Sequence, residues 1–210
     1  MNWQVLANGH EANLDHPTLA DIDINSISHH LSQINRFTGA AIRPYSVAEH
    51  SLLVAEIAVR ELGLNVHGQL ASLLHDAHEA FTNDQSTPSK RKIGEGWYQF
   101  EHTWQRLVAQ RFHIITPATV FSAEIRRADL IALATEREQL LPKITPGDLP
   151  ASPWPVLTGI APVTWVDLMA PDRQAATWAD WRDRFADEFD LLHYRRTHMH
   201  RKVGTTAKVA

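Results

Sequence analysis

Apolar positions recur every three or four residues through most of this chain, which predicts helices rather than strands. Ile27, Leu31 and Ile34 share one face of a helix that Asp23 or Asn25 can cap and that runs to about Arg36. Ser46-Val47-Ala48-Glu49 has the form of a capping box, and the helix it opens ends near Gly63. Val47, His50, Ser51, Val54 and Ala58 lie along one face of that helix, so His50 is expected to point inward. Leu70, Leu73, Leu74, Ala77 and Phe81 form the apolar side of the next helix. His75, His78 and Glu79 lie on an adjoining side, with Asp76 about 100° round from His75. A further helix is expected from about Trp97 to Phe112. Thr116-Pro117 reads as the N-cap and first residue of another, which carries Ile125, Ala128, Ala132 and Thr135 in a stripe, Asp129 beside them, and stops at Pro142. From Pro142 to Pro171, both included, run seven of the eleven prolines, which predicts a long excursion over the surface with a functional or oligomeric role. Asp172 can cap a last helix, about 172–194, whose stripe of Trp178, Trp181, Phe185, Phe189 and Leu192 is read as core packing. The first two dozen residues predict an irregular arm or short strands. No repeat or linker divides the chain, so the expectation is all-α: one helical bundle over 1–210 with its core at about 24–140.

Composition narrows the class. A chain of 210 residues with 44% hydrophobic content can bury a substantial core as one domain. A formal charge of −4 argues against a protein held on a nucleic acid polymer by bulk electrostatics. Arg195, Arg196, Arg201 and Lys202 are a basic run read as a solvated end rather than a binding patch. The absence of cysteine rules out disulfides and thiolate metal sites. No signal peptide is visible at the N-terminus and no apolar run approaches the ~20 residues that span a bilayer, so the expected setting is the cytoplasm, with no membrane partner.

Candidate chemistry lies in His50, the adjacent pair His75 and Asp76, and the distant Asp129. A single histidine on an apolar face is more often a hydrogen-bonded core residue than a ligand. Here, however, an inward His, a His-Asp pair among apolar residues and an Asp among alanines would all need satisfying if buried together. Two imidazoles and two carboxylates are a workable set for a divalent ion. The zinc-protease patterns are excluded, because His75-Asp76-Ala77-His78-Glu79 is neither H-E-x-x-H nor H-x-x-E-H.

Val47-Ala48-Glu49-His50-Ser51, Leu74-His75-Asp76-Ala77-His78-Glu79-Ala80 and Ala128-Asp129 resemble the H…HD…D signature of the HD-domain metal-dependent phosphohydrolases. The resemblance is closest to the branch with the bacterial deoxyribonucleoside 5′-nucleotidases and the phage-type dATP triphosphohydrolases, and covers about residues 24 to 140. Thr82-Asn83-Asp84-Gln85-Ser86-Thr87-Pro88-Ser89-Lys90 resembles that branch's T-x-D-x-x-T/R-P-x-K stretch, and Asn35-Arg36-Phe37 its segment before the first ligand. The chain departs from the family in carrying His78 where Ser or Thr is usual, Asn83 where Gly is frequent, and Phe37 in place of the nucleotidases' tryptophan.

The resemblance implies an HD-domain bundle in which His50, His75, Asp76 and Asp129 hold a divalent ion (Mn, Co, Zn, Fe or Mg) that activates water and polarises a phosphoryl group. It further implies Glu79 orienting the attacking water or binding a second ion, and Asp84 protonating or steadying the leaving ribose oxygen. Arg36 and Lys90 would hold phosphate oxygens, with Arg43 a weaker candidate, and Phe37 would stack on sugar or base. The implied reaction is hydrolysis of a (deoxy)nucleotide at the 5′ carbon, releasing phosphate from a monophosphate or a polyphosphate from a triphosphate such as dATP. The alternatives are a phosphodiesterase on cyclic or signalling nucleotides, and a non-catalytic metal or nucleotide sensor. The proline-rich excursion and the exposed aromatics point to a homo-oligomer.

Overall fold

The computed structural model describes residues 2–142 and 154–198. The chain is all-α apart from a small antiparallel hairpin, β1 (Trp3–Val5) paired with β2 (Glu11–Asn13), with Gln4 opposite Ala12. Ten α-helices follow among the described residues: α1 (Ile24–Gln33), α2 (Val47–Arg60), α3 (Val66–Leu73), α4 (Glu79–Thr82), α5 (Thr87–Ile93), α6 (Glu95–Arg111), α7 (Ile115–Val120), α8 (Ser122–Leu140), α9 (Pro171–Ala175) and α10 (Trp178–His198). Among the described residues, no helix is long and apolar enough to cross a membrane.

Helix α2 is the centre of the bundle, packing on α1, α3, α8 and α10. Its Val47, Ala48 and Ala55 belong to one apolar cluster, with residues of α1, α3, α6 and α10, while its Leu53, Val54, Ile57 and Ala58 belong to a second, with α8 and the stretch 163–168. A helix buried on nearly every side is apolar nearly all round, which the alternation of Val, Leu, Ile and Ala here achieves. The Ser46 hydroxyl accepts from the Glu49 N–H at 3.2 Å, as the capping pattern predicts. The return bond is not made. The Glu49 carboxylate instead takes a bidentate pair of bonds from Arg43 and a third from Arg173. Two cations within reach of one buried carboxylate outweigh a single backbone N–H.

Three boundaries differ from the sequence expectation. The apolar period runs unbroken from Leu70 to Phe81, yet α3 stops at Leu73 and His75 to His78 lie in turns before α4. Thr116-Pro117 sits inside the short α7, and the helix carrying Asp129 starts separately at Ser122. Asp172 belongs to the short α9. The last helix begins after Thr177, where the Thr177 N–H donates to Asp180 at 2.7 Å and the Asp180 N–H to the Thr177 hydroxyl at 3.3 Å, a capping box.

The proline-rich excursion falls partly outside the described residues, as do Arg201 and Lys202 of the basic end. Its described part covers α8 and α2: the Val163 N–H donates to Thr135, Gln139 bonds both Val166 and Leu168, and the Trp165 indole reaches Glu61 at 2.7 Å.

Candidate metal centre

The four sequence-selected ligand types come together where α2, the turn after α3, and α8 meet. The Asp76 Oδ2 lies 3.1 Å from the His75 Nε2 and 3.6 Å from the His50 Nε2. The Asp129 Oδ1 lies 3.3 Å from the His50 Nε2 and 4.0 Å from the His75 Nε2. Oxygens and nitrogens that share an ion at about 2.1 Å sit roughly 3.0 to 3.4 Å apart for right-angled or tetrahedral pairs, and wider for open angles. The spread observed fits such a set.

Orientation of the rings makes the stronger argument. Both Nε2 atoms are buried and have no hydrogen-bond partner. Each Nδ1, in contrast, is engaged: that of His75 with the Ser72 carbonyl at 2.8 Å, and that of His50 with the Glu136 carboxylate. A carbonyl or carboxylate can only accept, so each Nδ1 carries a proton, and whenever the ring is neutral it is the Nε2 lone pair that faces the cluster. An imidazole held through its far nitrogen and offering the other is how metal-binding histidines are oriented. The turn at His75–His78 explains how adjacent residues can both face one point. In a continuous helix they would diverge by about 100°.

Asp76, His78 and Glu79 form a second, overlapping group in which one potential ligand atom from each lies within 4.8 Å of the others. His50, His75, Asp76, His78 and Glu79 together are therefore a candidate metal-binding cluster. The His78 Nε2 is directed to α6, 3.3 Å from Glu101 and 3.3 Å from Gln105.

Carboxyl groups here are pushed apart electrostatically. Burial raises the Glu79 carboxyl well above the usual range, and Asp76 and Asp84 add to the effect. Burial also raises Asp84, with Asp76 adding, although Arg36 opposes. For Asp76 burial acts upward too, but His75 and His50 outweigh it and hold the carboxyl well below its ordinary range. One carboxylate is thus locked as an anion between neighbours that take up protons more readily, the pattern expected where acid and base roles are divided.

Arg36 follows α1 in a 3₁₀ turn (Arg36–Gly39) and is buried; its Nη2 lies 3.3 Å from the Glu136 Oε2 and its Nη1 3.8 Å from the Asp76 Oδ2. Its Nε has no partner. The Phe37 ring lies beside the guanidinium, 5.4 Å away, half-buried against the second apolar cluster. Phe37 and Thr38 both adopt left-handed backbone, φ 56° and 52°, as does Asn83 at φ 67° just before Asp84. Non-glycine residues in this region cost on the order of 1–3 kcal/mol each and collect at functional sites. Asn83 tolerates a conformation that glycine adopts freely.

Two candidate phosphate ligands are otherwise engaged. All five N–H donors of Arg43 are spent, on Glu49, Pro44 and Leu168, so it clamps the base of α2 and has none left for a phosphate. Lys90, on α5, donates to Glu101 on α6 and retains further donors. Neither Glu136 nor Glu101 was among the site residues expected from the sequence. Glu136 stands two turns after Asp129 on the same helix, so the helical period was an available signal for it. Glu101 had none.

Glu136 carries a pH consequence. Burial raises its pKa, but Arg36 and His50 overcome burial and bring it from an ordinary 4.5 to about 2. A depressed folded value means stabilisation that is complete above the unfolded pKa and lost as pH falls toward the folded one. The difference corresponds to about 3 kcal/mol, most of it lost between about pH 4.5 and 2. Urea unfolding of wild type and Glu136→Gln at pH 5 and pH 3 is expected to show a smaller decline in the variant, by about 2 kcal/mol. Equal declines would contradict it.

No family model matches the chain. Over 143 residues it is 38% identical to "Uncharacterized protein RCAP_rcc00048" of Rhodobacter capsulatus, covering 66% of this chain and 72% of that protein. Over 171 residues it is 33% identical to "Uncharacterized protein YfdR" of Escherichia coli, covering 81% of this chain and 86% of that one.

Proposed function

We propose that this chain, which belongs to one family with the Escherichia coli protein YfdR and its Rhodobacter capsulatus relative, is a divalent-metal-dependent phosphohydrolase of the HD-domain type. Its substrate is the 5′ phosphoester of a nucleotide, deoxynucleotides first. One observation carries the reading: two buried, partnerless imidazole nitrogens converge with two carboxylates, each ring held in the ligand tautomer from behind. His50, His75, Asp76 and Asp129 hold the ion. When bound, it supplies positive charge to a phosphoryl oxygen and lowers the pKa of a water molecule.

The chain's own residues do the rest. Arg36 offers its unpartnered Nε and its Nη1 to phosphate oxygens in a buried setting, where a charge-assisted bond is strong. Glu79, with an unpartnered buried Oε2 and a raised carboxyl pKa, takes the proton of the attacking water. As the new P–O bond forms, the bond from phosphorus to the ribose O5′ breaks, and Asp84, in its protonated form, gives its proton to O5′. Lys90, fixed by Glu101, adds charge at the rim, and Phe37 supplies a flat apolar face for sugar or base.

The test is a product-resolved screen of deoxy- and ribonucleoside mono- and triphosphates, cyclic dinucleotides and guanosine tetraphosphate, against Mn²⁺, Co²⁺, Zn²⁺, Fe²⁺ and Mg²⁺. The expected products are a nucleoside with phosphate or with a polyphosphate, formed only with a divalent ion. Turnover confined to cyclic dinucleotides or guanosine tetraphosphate would move the assignment to a phosphodiesterase or signalling-nucleotide hydrolase. Binding of metal and nucleotide without product under any ion would make the protein a sensor.

A further inference from the structure

We propose that Glu136 is a positioning residue that couples the metal ligand His50 to the phosphate-binding Arg36, so that metal loading and phosphate binding share one anchor. The proposal rests on the phosphohydrolase reading for what those two residues do. Glu136 is fully buried on α8. Its Oε1 accepts from the His50 Nδ1–H and from the Tyr45 hydroxyl at 3.0 Å, while its Oε2 receives the Arg36 Nη2 at 3.3 Å. A carboxylate with two oxygens can serve these three donors at once, and no other single side chain of similar size can.

Each arm has a separate consequence. The bond to Nδ1 fixes the proton on the far side of the His50 ring and aims Nε2 at Asp76 and Asp129. The contact to Nη2 anchors one corner of a rigid planar guanidinium, which leaves Nη1 toward Asp76 and Nε without a partner. Tyr45 steadies the carboxylate itself. Since α8 also carries Asp129, two turns earlier, a single helix supplies one metal ligand and the group that orients another. In Glu136→Gln the amide oxygen can still accept from His50 or Tyr45, but the amide N–H₂ then faces Arg36, donor against donor.

Co²⁺ titration, followed by visible absorption without nucleotide, is expected to show affinity falling by about 10- to 100-fold in Glu136→Gln, the usual scale for a lost ligand-orienting partner. Tyr45→Phe, which removes only the steadying arm, is expected to stay within about threefold. With the nucleotide found by the screen, Glu136→Gln should also raise KM at saturating metal, because Arg36 loses its anchor. Long-range ¹H–¹⁵N spectra of the Zn²⁺-loaded wild-type protein should place the His50 proton on Nδ1, a readout that stands even where Glu136→Gln fails to fold. Equal Co²⁺ affinity in wild type and Glu136→Gln, or Zn²⁺ on the His50 Nδ1, overturns the proposal. A screen without product, together with weakened Co²⁺ binding in Glu136→Gln, would instead overturn the hydrolase reading and leave Glu136 as the organiser of the metal centre.

Discussion

Asp76→Ala is expected to reduce nucleotide hydrolysis by at least about 10³-fold and to weaken Co²⁺ binding in parallel. The Asp76 Oδ2 is the oxygen shared by both rings, 3.1 Å from the His75 Nε2 and 3.6 Å from the His50 Nε2. Its carboxyl is held well below the ordinary range by the two histidines despite burial, so it is an anion throughout the working pH range. Removing it leaves two imidazoles and Asp129 to hold a doubly charged ion. The several kcal/mol of charge stabilisation such an ion provides translate at about 1.36 kcal/mol per tenfold. The backbone should keep its path, because the Asp76 carbonyl retains its bond from the Glu79 N–H. The metal-free thermal midpoint is expected to fall by several degrees, since a carboxyl held below its ordinary range no longer stabilises the folded state, while the variant stays folded at assay temperature. Turnover that survived while metal affinity collapsed would show that the reaction does not use the ion.

Glu79→Gln is expected to slow turnover by roughly 10²- to 10⁴-fold, the span associated with a positioned proton acceptor. Glutamine has nearly the same shape and keeps the packing of α4 against α6, including the Phe81 ring stacked 4.2 Å over Trp104. What it lacks is the ability to take a proton. The wild-type rate should rise with pH as Glu79 deprotonates, and the midpoint should lie above the normal carboxylate range because burial, Asp76 and Asp84 all favour the neutral form. That limb of the pH profile should vanish in Glu79→Gln. An unchanged profile and rate would remove Glu79 from the chemistry.

Much of this was legible in the chain because it rests on local rules. Asp23 caps α1, accepting from the Asn25 and Ser26 N–H groups, as its place before an apolar period indicated. Ser46 caps α2 for the same reason, and the phase of that helix was enough to turn His50 inward. The break after Leu73 was not legible: Leu74, Ala77 and Phe81 continue the apolar repeat and no proline or glycine interrupts it. Tertiary packing, through Phe81 on Trp104 and the His30 ring on the Ala80 carbonyl, overrides local preference there. The roles of Arg43 and Glu136 were hidden for another reason. Arg43 bonds the Leu168 carbonyl 125 residues away and Glu136 bonds His50 86 residues away. A contact across such a separation does not name its partner in either segment, even where, as for Glu136, the helical period places the residue on the right face. A charged residue near a helix end reads as solvated until the fold closes over it.

The clamp on Glu49 has a consequence for the order of assembly during synthesis. Glu49 directly precedes His50, a candidate metal ligand, and one of its cations, Arg173, is 124 residues further along. A ribosome adding about 5–20 residues per second leaves α2 exposed with half its clamp missing for roughly 6 to 25 s. Through that interval Arg43 alone faces Glu49, and α10, which packs on α1, α2 and α3, does not yet exist. The candidate ligand side chains therefore leave the ribosome well before the scaffold that holds them, and the cluster is complete only when the C-terminal third of the chain closes over α2.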